Sequence, residues 1–457
     1  MAGDVGTELL RDRISDLPDA ILVSILSLLR LDEAARCTVL ASRWRCLFTS
    51  TLLLNFNANM PGRRDIIGTV NSILAAHPAA PVRSFSAGWS FLPRDQDLSG
   101  GGWLQELARR GVEELFLDFN FRDWSHRIPD SLFDCSSLKR LRARYCTFPD
   151  VPKAGAAPPL ARLTEIELWR VSISDESVNF LLSQCTALER LKMNATSKFG
   201  RVHIRSPSLK VLDSDGDFDE LFVECAPSLE WLFGHYMYMK GGSRRVCLRI
   251  AHAPKLKFLG YLGMNFEKIE IGETIFTEDR INVKTLMPSL KTLAIEVSYT
   301  EEGYIDWIIQ LLNLFPCLEV LYITSDTWSR IQAAASESWD VLRHIPCVHN
   351  HLEKVVFEVY RGHEWQREMA KFLHGKSRFL KAMEFHCMND GDGDSKYHRE
   401  RRSVEWVRNQ QELLCLDSRA SKDARFLFFK GQLVCNHWNI CHHEWYKRKY
   451  YDEIYEV

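Results

Sequence analysis

A phrase of the form L-x-x-L-x-φ, with φ apolar, recurs about a dozen times along this chain and limits its possible folds more than any other feature. It reads Leu138-Lys-Arg-Leu141, Leu163-Thr-Glu-Ile166-Glu-Leu168, Leu188-Glu-Arg-Leu191-Lys-Met193, Leu209-Lys-Val-Leu212 and Leu229-Glu-Trp-Leu232. It continues as Leu256-Lys-Phe-Leu259, Leu290-Lys-Thr-Leu293-Ala-Ile295, Leu318-Glu-Val-Leu321-Tyr-Ile323, Leu352-Glu-Lys-Val355-Val-Phe357 and Leu380-Lys-Ala-Met383-Glu-Phe385. Val112-Glu-Glu-Leu115-Phe-Leu117 is an earlier copy and Val82-Arg-Ser-Phe85 a weaker first one. In each copy the alternating apolar residues specify a short strand with one face inward, and the leading Leu packs beneath it. No single copy can bury its own apolar face, so the copies must stack and share one core.

From Val112 onward successive copies start between 20 and 34 residues apart. That spacing overlaps the ~20–29-residue leucine-rich-repeat period and exceeds it in places, which implies insertions on the convex side. The expected fold class is therefore α/β: a leucine-rich-repeat solenoid, or horseshoe, over 51–385. The segments SDESVNFLLSQC at 174–185 and DWIIQLLNLFPC at 306–317 have helical periodicity and are expected on the convex face. The strand position between the second and third apolar residues is expected to face solvent on the concave side. It reads Arg142, Glu167, Lys192, Asp213, Phe233, Gly260, Ala294, Tyr322, Val356 and Glu384. Its charges alternate in sign over the first four copies and give way to apolar and aromatic residues later. That mixture suits a protein or peptide ligand better than a polyanion, with Trp231, Phe233 and Tyr322 as the candidate target-binding anchors.

Ahead of the repeats, Leu17, Pro18, Ile21, Leu22, Ile25, Leu26 and Leu29 recur at helical spacing, with Pro18 tolerated in a first turn. Asp32 is placed to cap a second helix, Glu33 is favourable in its first turn, and Ala35, Val39 and Leu40 follow on its expected buried side. Trp44 and Leu47 close the stretch. So many large apolar residues in 13–50 cannot all be hidden by two or three short helices, which leaves an exposed apolar face that wants a partner.

Leu17-Pro18, Ile25-Leu26, Leu29 and the block Val39-Leu40-Ala41-Ser42-Arg43-Trp44-Arg45 resemble an F-box, and Glu33-Ala34-Ala35-Arg36 is similar to the form found in flowering plants. Arg30 stands where many members carry a proline, and Ala41-Ser42 replaces a more usual Ser-Arg pair. The resemblance implies docking onto the Skp-type adaptor of a cullin-RING ubiquitin ligase through Leu17, Pro18, Ile21, Leu22, Ile25, Leu26, Leu29, Val39, Leu40 and Trp44. The chain would then be a non-catalytic substrate-recognition subunit, with ubiquitin transfer performed by other subunits. The alternative is a ligase-independent leucine-rich-repeat binding scaffold. With the block beginning near FLHGKSRFLKAMEFHC, the sequence also resembles plant F-box proteins that carry an FBD region. The expected organisation is a disordered tail at 1–12, the helical F-box at 13–50, the solenoid at 51–385, a polar loop at 386–403 and a C-terminal cap at 404–457.

Other chemistry is weakly supported. Net charge is −2, which offers no general attraction to nucleic acid or to an anionic membrane. No apolar run approaches the ~20 residues of a membrane span, since AILVSILSLL is too short. Met1 is followed by AGDVGTELL rather than by a basic and then apolar run, so no secretory signal is expected, and the thirteen scattered cysteines are expected reduced in cytoplasm or nucleus. Asn194-Ala195-Thr196 is a glycosylation sequon without meaning in that setting. Asp390-Gly-Asp392-Gly-Asp394 begins like a calcium loop, but Ser395 and Arg401 stand where Gly and Glu are required. Gly375-Lys376-Ser377 mimics the end of a phosphate loop, yet Ala370 replaces the upstream glycine. Cys435, His437, Cys441, His442 and His443 are the only dense soft-ligand set, without zinc-finger spacing, and are read as cap surface with metal binding the lesser alternative. No cofactor is expected.

Overall fold

The computed structural model describes residues 14, 16–29, 31–49, 53–56, 66–76, 81–89, 98, 102–119, 126–151, 160–194, 199–215, 218–234, 246–263, 266–277, 281–282, 284–297, 303–325, 339, 344–387, 404–430 and 453–456. The fold is mixed α/β and divides into two units, 1–198 and 199–457.

The first unit opens with three short helices, α1 (Asp19–Leu28), α2 (Leu31–Cys37) and α3 (Ser42–Thr49). Next come β1 (Leu53–Phe56), α4 (Ile66–Ala76), β2 (Ser84–Trp89), α5 (Trp103–Arg109), β3 (Glu114–Phe119), β4 (Arg140–Arg144), β5 (Glu165–Trp169), α6 (Asp175–Gln184) and β6 (Arg190–Asn194). Strands β1 to β6 lie in chain order and pair in parallel. Alternation fixes their register: Leu115, Leu141, Ile166 and Leu191 align across the ladder and are all buried. The Phe85 ring meets Trp103 of α5 at 5.6 Å on that buried face. Ser174 caps α6 by accepting from the Ser177 amide, with Asp175 and Glu176 in the first turn.

The second unit runs β7 (Phe199–Arg205), β8 (Val211–Asp215), β9 (Phe218–Cys225), β10 (Trp231–Gly234), β11 (Val246–Ile250), β12 (Phe258–Gly263), β13 (Phe266–Ile271), β14 (Thr274–Thr277), β15 (Ile281–Asn282) and β16 (Thr292–Val297). It continues with α7 (Tyr304–Leu314), β17 (Val320–Ser325), α8 (Pro346–Asn350), β18 (Lys354–Tyr360), α9 (Glu364–Lys376), β19 (Ala382–Cys387), α10 (Val404–Leu413), β20 (Arg425–Lys430) and β21 (Glu453–Glu456). The main ladder, in the order β8-β10-β12-β16-β17-β18-β19-β20, is parallel, and β21 adds to β20 antiparallel. The segment read as a cap thus contributes α10 and two further strands.

Each repeat is built alike. The leading residues Leu138, Leu163, Leu188, Leu209, Leu229, Leu256, Leu290, Leu318, Leu352 and Leu380 are at most 1% exposed. Burying each one contributes about 1.5–3 kcal/mol relative to exposure. Just after that Leu, two consecutive amides donate to one carbonyl of the preceding repeat, as Lys291 and Thr292 do to Lys257, and Glu319 and Val320 to Lys291. The backbone is thereby satisfied from copy to copy without helix or hairpin.

One layer departs from expectation. Between 199 and 282 the returns from ladder strand to ladder strand are strands rather than helices, forming a second sheet in the order β15-β14-β13-β11-β9-β7. Val202, Ile204, Leu221, Val223, Val246, Leu248 and Ile250 alternate into its buried face. Helices return at α7, where Ile305, Ile308, Leu311 and Leu312 are buried. The last returns carry a polar lock. The Gln366 side chain accepts from the amides of Arg361, Gly362 and His363 and donates to the Val359 carbonyl at 2.6 Å, closing the start of α9. Gly362 there has φ +77°, and a Cβ on it would sit 2.6 Å from Gln410 Oε1.

Candidate functional site: an apolar helical face and an aromatic-acidic sheet face

Two surfaces of this chain carry the residues singled out in its sequence. On the first, α1 begins at Asp19 because Pro18, with φ −59° and ψ 148°, stands outside the helix as its N-cap. Arg43 of α3 binds that end, donating to Asp19 Oδ1 at 2.8 Å and to the Leu17 carbonyl at 2.7 Å. Beneath it Leu22, Leu26, Ala34, Trp44 and Leu47 form a small core, with Leu17, Ile25 and Leu29 partly buried against it. The ten residues named for adaptor contact therefore divide. Leu22, Leu26 and Trp44 hold the module together from inside, while Pro18, Ile21, Val39 and Leu40 lie exposed.

Two local readings are corrected. Ala34, not Ala35, Val39 or Leu40, is the buried residue of the second helix. The helix ends at Cys37, and Val39 and Leu40 ride a tight turn closed by hydrogen bonds to the Arg36 and Cys37 carbonyls. Asp32 does not cap that helix, which opens at Leu31. It sits in the first turn, 3.8 Å from Arg36. The result is an apolar surface with Ile21 46%, Leu28 83%, Val39 84% and Leu40 70% exposed. Leu28 was missed in the sequence because it falls off the buried stripe of α1.

The second surface is the face of the main ladder in the second unit that carries the positions between the second and third apolar residues of each repeat. Row by row, the register aligns Asp213 with Phe233, and Ala294 with Tyr322, Val356 and Glu384. These positions were expected to face solvent, and all are buried. Phe233, Phe258, Tyr261, Ala294, Tyr322 and Val356 form one apolar cluster with Trp231 and Val320 packed on it. Trp231 stacks on Phe258 at 4.9 Å, and Tyr261 meets Phe233 edge-on at 5.4 Å. Lateral packing of large rings on neighbouring strands removes Phe233 from solvent. Of the three anchors read from sequence, Trp231 is half-buried and Tyr322 keeps 9% of its surface exposed. Tyr261 enters the cluster through a bulge that sets one extra residue of β12 against β16. Gly260 is required there, because a Cβ on it would lie 2.6 Å from Ala294 Cβ.

Polar groups border the cluster. Tyr261 donates its hydroxyl to Glu358 Oε2 at 2.5 Å, and burial with that carboxylate pushes the phenol well above its usual range. Glu384 lies 2.7 Å from Lys354 Nζ and 3.7 Å from the His386 ring. Burial alone would raise its carboxyl, but His386 and Lys354 outweigh burial and hold it at about 2. The corresponding face of the first unit is different, with Arg142 bound to Glu167 at 2.7 Å, Arg140 paired with Glu114, and Arg142 over the Phe116 ring at 5.2 Å. Arg142 is exposed and Lys192 half-buried there, while Glu167 is buried beneath its arginine.

Gly375-Lys376-Ser377 closes α9 instead of opening a helix, so its amides do not form a phosphate cradle. Asp390 to Asp394, Cys435 to His443 and the sequon beyond Asn194 lie outside the described residues, as do 1–13 and 388–403. Among the described residues no group of three or more His, Cys, Asp or Glu side chains is placed to hold a metal ion, and no helix is long and apolar enough to cross a membrane.

Comparison with known proteins adds the following. A family model described as "FBD-associated F-box protein At5g56370, LRR repeats" matches residues 101–323, and a model described as "FBD" matches 343–385. The F-box/LRR-repeat protein At3g26922 of Arabidopsis thaliana is 30% identical over 296 residues, covering 63% of this chain and 92% of the relative. The F-box/FBD/LRR-repeat protein At3g26920 of the same plant is 28% identical over 396 residues, 82% of this chain and 89% of that one. A third, F-box/FBD/LRR-repeat protein At1g13570, is 29% identical over 226 residues, so the chain spans about half of that relative's length. The FBD match falls on α8, β18, α9 and β19, which continue the parallel ladder without a break in its pairing.

Proposed function

The chain belongs to the family of plant F-box/LRR-repeat proteins with an FBD region, and from that premise we propose that it is the substrate-recognition subunit of a Skp-cullin-F-box ubiquitin ligase. In this reading residues 13–50 are a working F-box, and the repeats form a leucine-rich solenoid that presents a target protein. The chain itself is not catalytic; it raises the effective concentration of the target near the transferase subunits. Work in the cytoplasm or nucleus follows from that role.

One observation carries the reading. A three-helix module with its own core leaves Ile21, Leu28, Val39 and Leu40 outside it, on a segment too small to expose such residues without a partner. The core residues explain why the module folds, and the outer ones supply the contact. Expression of wild type and of Leu28→Asp/Val39→Asp in plant cells tests it. Proteins held by the repeats are expected to be ubiquitinated and short-lived with the wild type, and held but stable with the variant. Equal turnover in both would leave the chain a ligase-independent scaffold.

A further inference from the structure

Independently of the ligase reading, we propose that His374 is a pH-sensitive latch: while neutral it ties the connection between α10 and β20 to α9, and when protonated it releases Leu414–Ala420. Three contacts meet at this residue, which is fully buried near the end of α9. Its ring Nε2 lies 3.0 Å from the carbonyl oxygen of Leu414. Its own carbonyl accepts from the Ala420 amide at 3.0 Å. The ring stands edge-on to Phe426 of β20, with centroids 5.7 Å apart. One residue therefore holds both ends of the connection. Beyond those ends the chain is fixed by other bonds, from the Tyr360 hydroxyl to Gln410 at 3.1 Å and from the Ser421 hydroxyl to the Leu380 carbonyl at 2.7 Å, so the opening is confined to the connection.

The chemistry of the ring sets the direction of the switch. A carbonyl oxygen only accepts, so Nε2 carries the proton of the Leu414 contact and the neutral ring leaves Nδ1 bare. Nδ1 is buried and has no hydrogen-bond partner among the described residues. An added proton would place there a buried N–H without an acceptor and a full charge away from water. The charges that act on the ring are positive, Lys371 from its own helix and Arg419 from the connection. Lys371 is paired with Glu368 at 2.8 Å, and Glu412, Asp417 and Asp423 of the covering segment are exposed. From β20 the facing group is the Phe426 ring, which does not titrate. Burial, with those two cations, holds the imidazole below its usual value although the Leu414 carbonyl pulls the other way. The closed form is therefore fully favoured above the ordinary 6.5 and loses ground as pH falls below it.

Amide exchange of 414–420 in the full chain, followed from about pH 7.5 to about pH 5.5 and corrected for the intrinsic pH dependence of exchange, tests this. Each pH unit below 6.5 can raise opening by up to about tenfold, and protection is expected to fall at least about threefold over the range. His374→Gln offers an N–H donor in place of Nε2 and takes up no proton, so its protection is expected not to change with pH. Glu384, held at about 2, titrates outside this window. Exchange of the His374 imidazole C2–H in the wild type, read by mass spectrometry, does not depend on how the variant folds and is expected to report titration below 6.5. Constant protection in the wild type, an equal loss in His374→Gln, or titration of His374 at 6.5 or above would overturn the proposal.

Discussion

Lys354→Met is the substitution from which the packing of the last repeats can be judged most sharply. Glu384 is 6% exposed on β19, and Lys354 reaches it from β18 at 2.7 Å. The carboxyl is held at about 2 against an ordinary 4.5, a difference equivalent to roughly 3 kcal/mol. Because the folded value is depressed, that stabilisation is complete above the unfolded value near 4.5 and is lost as pH falls toward 2. Removing the lysine leaves the His386 ring, 3.7 Å away, as the remaining neighbouring partner of the carboxyl among the described residues. With one of the two groups that hold it down removed, the carboxyl rises, so the variant is penalised most at neutral pH, by about 3–5 kcal/mol, and recovers as acid neutralises the group. Amide exchange in β18 and β19, together with thermal melting, measured at steps from pH 7 to pH 3, reads the gap between wild type and variant. The gap is expected to be widest at pH 7 and to narrow steadily below about 4.5. A gap that does not change with pH, or none at pH 7, would refute the assignment of Glu384 as a buried anion held by Lys354.

Two further outcomes follow from packing and burial. Gly260→Ala drives a methyl to 2.6 Å from Ala294 Cβ inside the aromatic cluster, so it is expected to cost about 1–3 kcal/mol and lower the melting temperature, whereas Gly303→Ala, with open space around it, carries only the cost of its positive φ. Equal losses at the two positions would contradict the close approach of β12 to β16. Burial raises the thiols of Cys135, Cys185 and Cys347 to about 12, while Cys46 and Cys415 are exposed. Alkylation with iodoacetamide at pH 8, followed by peptide mass spectrometry, is expected to label Cys46 and Cys415 first and the three buried thiols only on unfolding.

The ladder was legible because its signal is local. A Leu three residues before an alternating strand needs no distant information, and the leading leucines of the repeats are buried as that spacing requires. The helices at 175–184 and 304–314 were legible for the same reason. The second sheet was not foreseen, although Val202 and Ile204, Leu221 and Val223, and Val246, Leu248 and Ile250 alternate with period two. The helical period marks returns at 174–185 and 306–317 only, and those between 199 and 282, whose period is two, carry no assignment from it. The burial of Phe233, Ala294 and Val356 was beyond local pattern. Alternation assigns a residue to a face, but whether that face is covered depends on rings from strands 20 or more residues away, and on a bulge at Gly260 that nothing in FLGYLG announces. In the N-terminal module the helical period was carried past Cys37 into a turn, which turned Val39 and Leu40 inward on paper and outward in the fold.

The central claim is that these outward side chains dock a Skp-type adaptor. The direct measurement is the equilibrium affinity of the full chain for a purified Skp-type adaptor, compared with that of Val39→Asp/Leu40→Asp. Both residues are exposed, so the variant is expected to fold with an unchanged melting temperature. Each buries roughly 1.5–3 kcal/mol of apolar side chain on docking, and loss of both is expected to weaken binding at least about a hundredfold. Adaptor binding of equal strength in wild type and variant, or none by the wild type, would contradict the account.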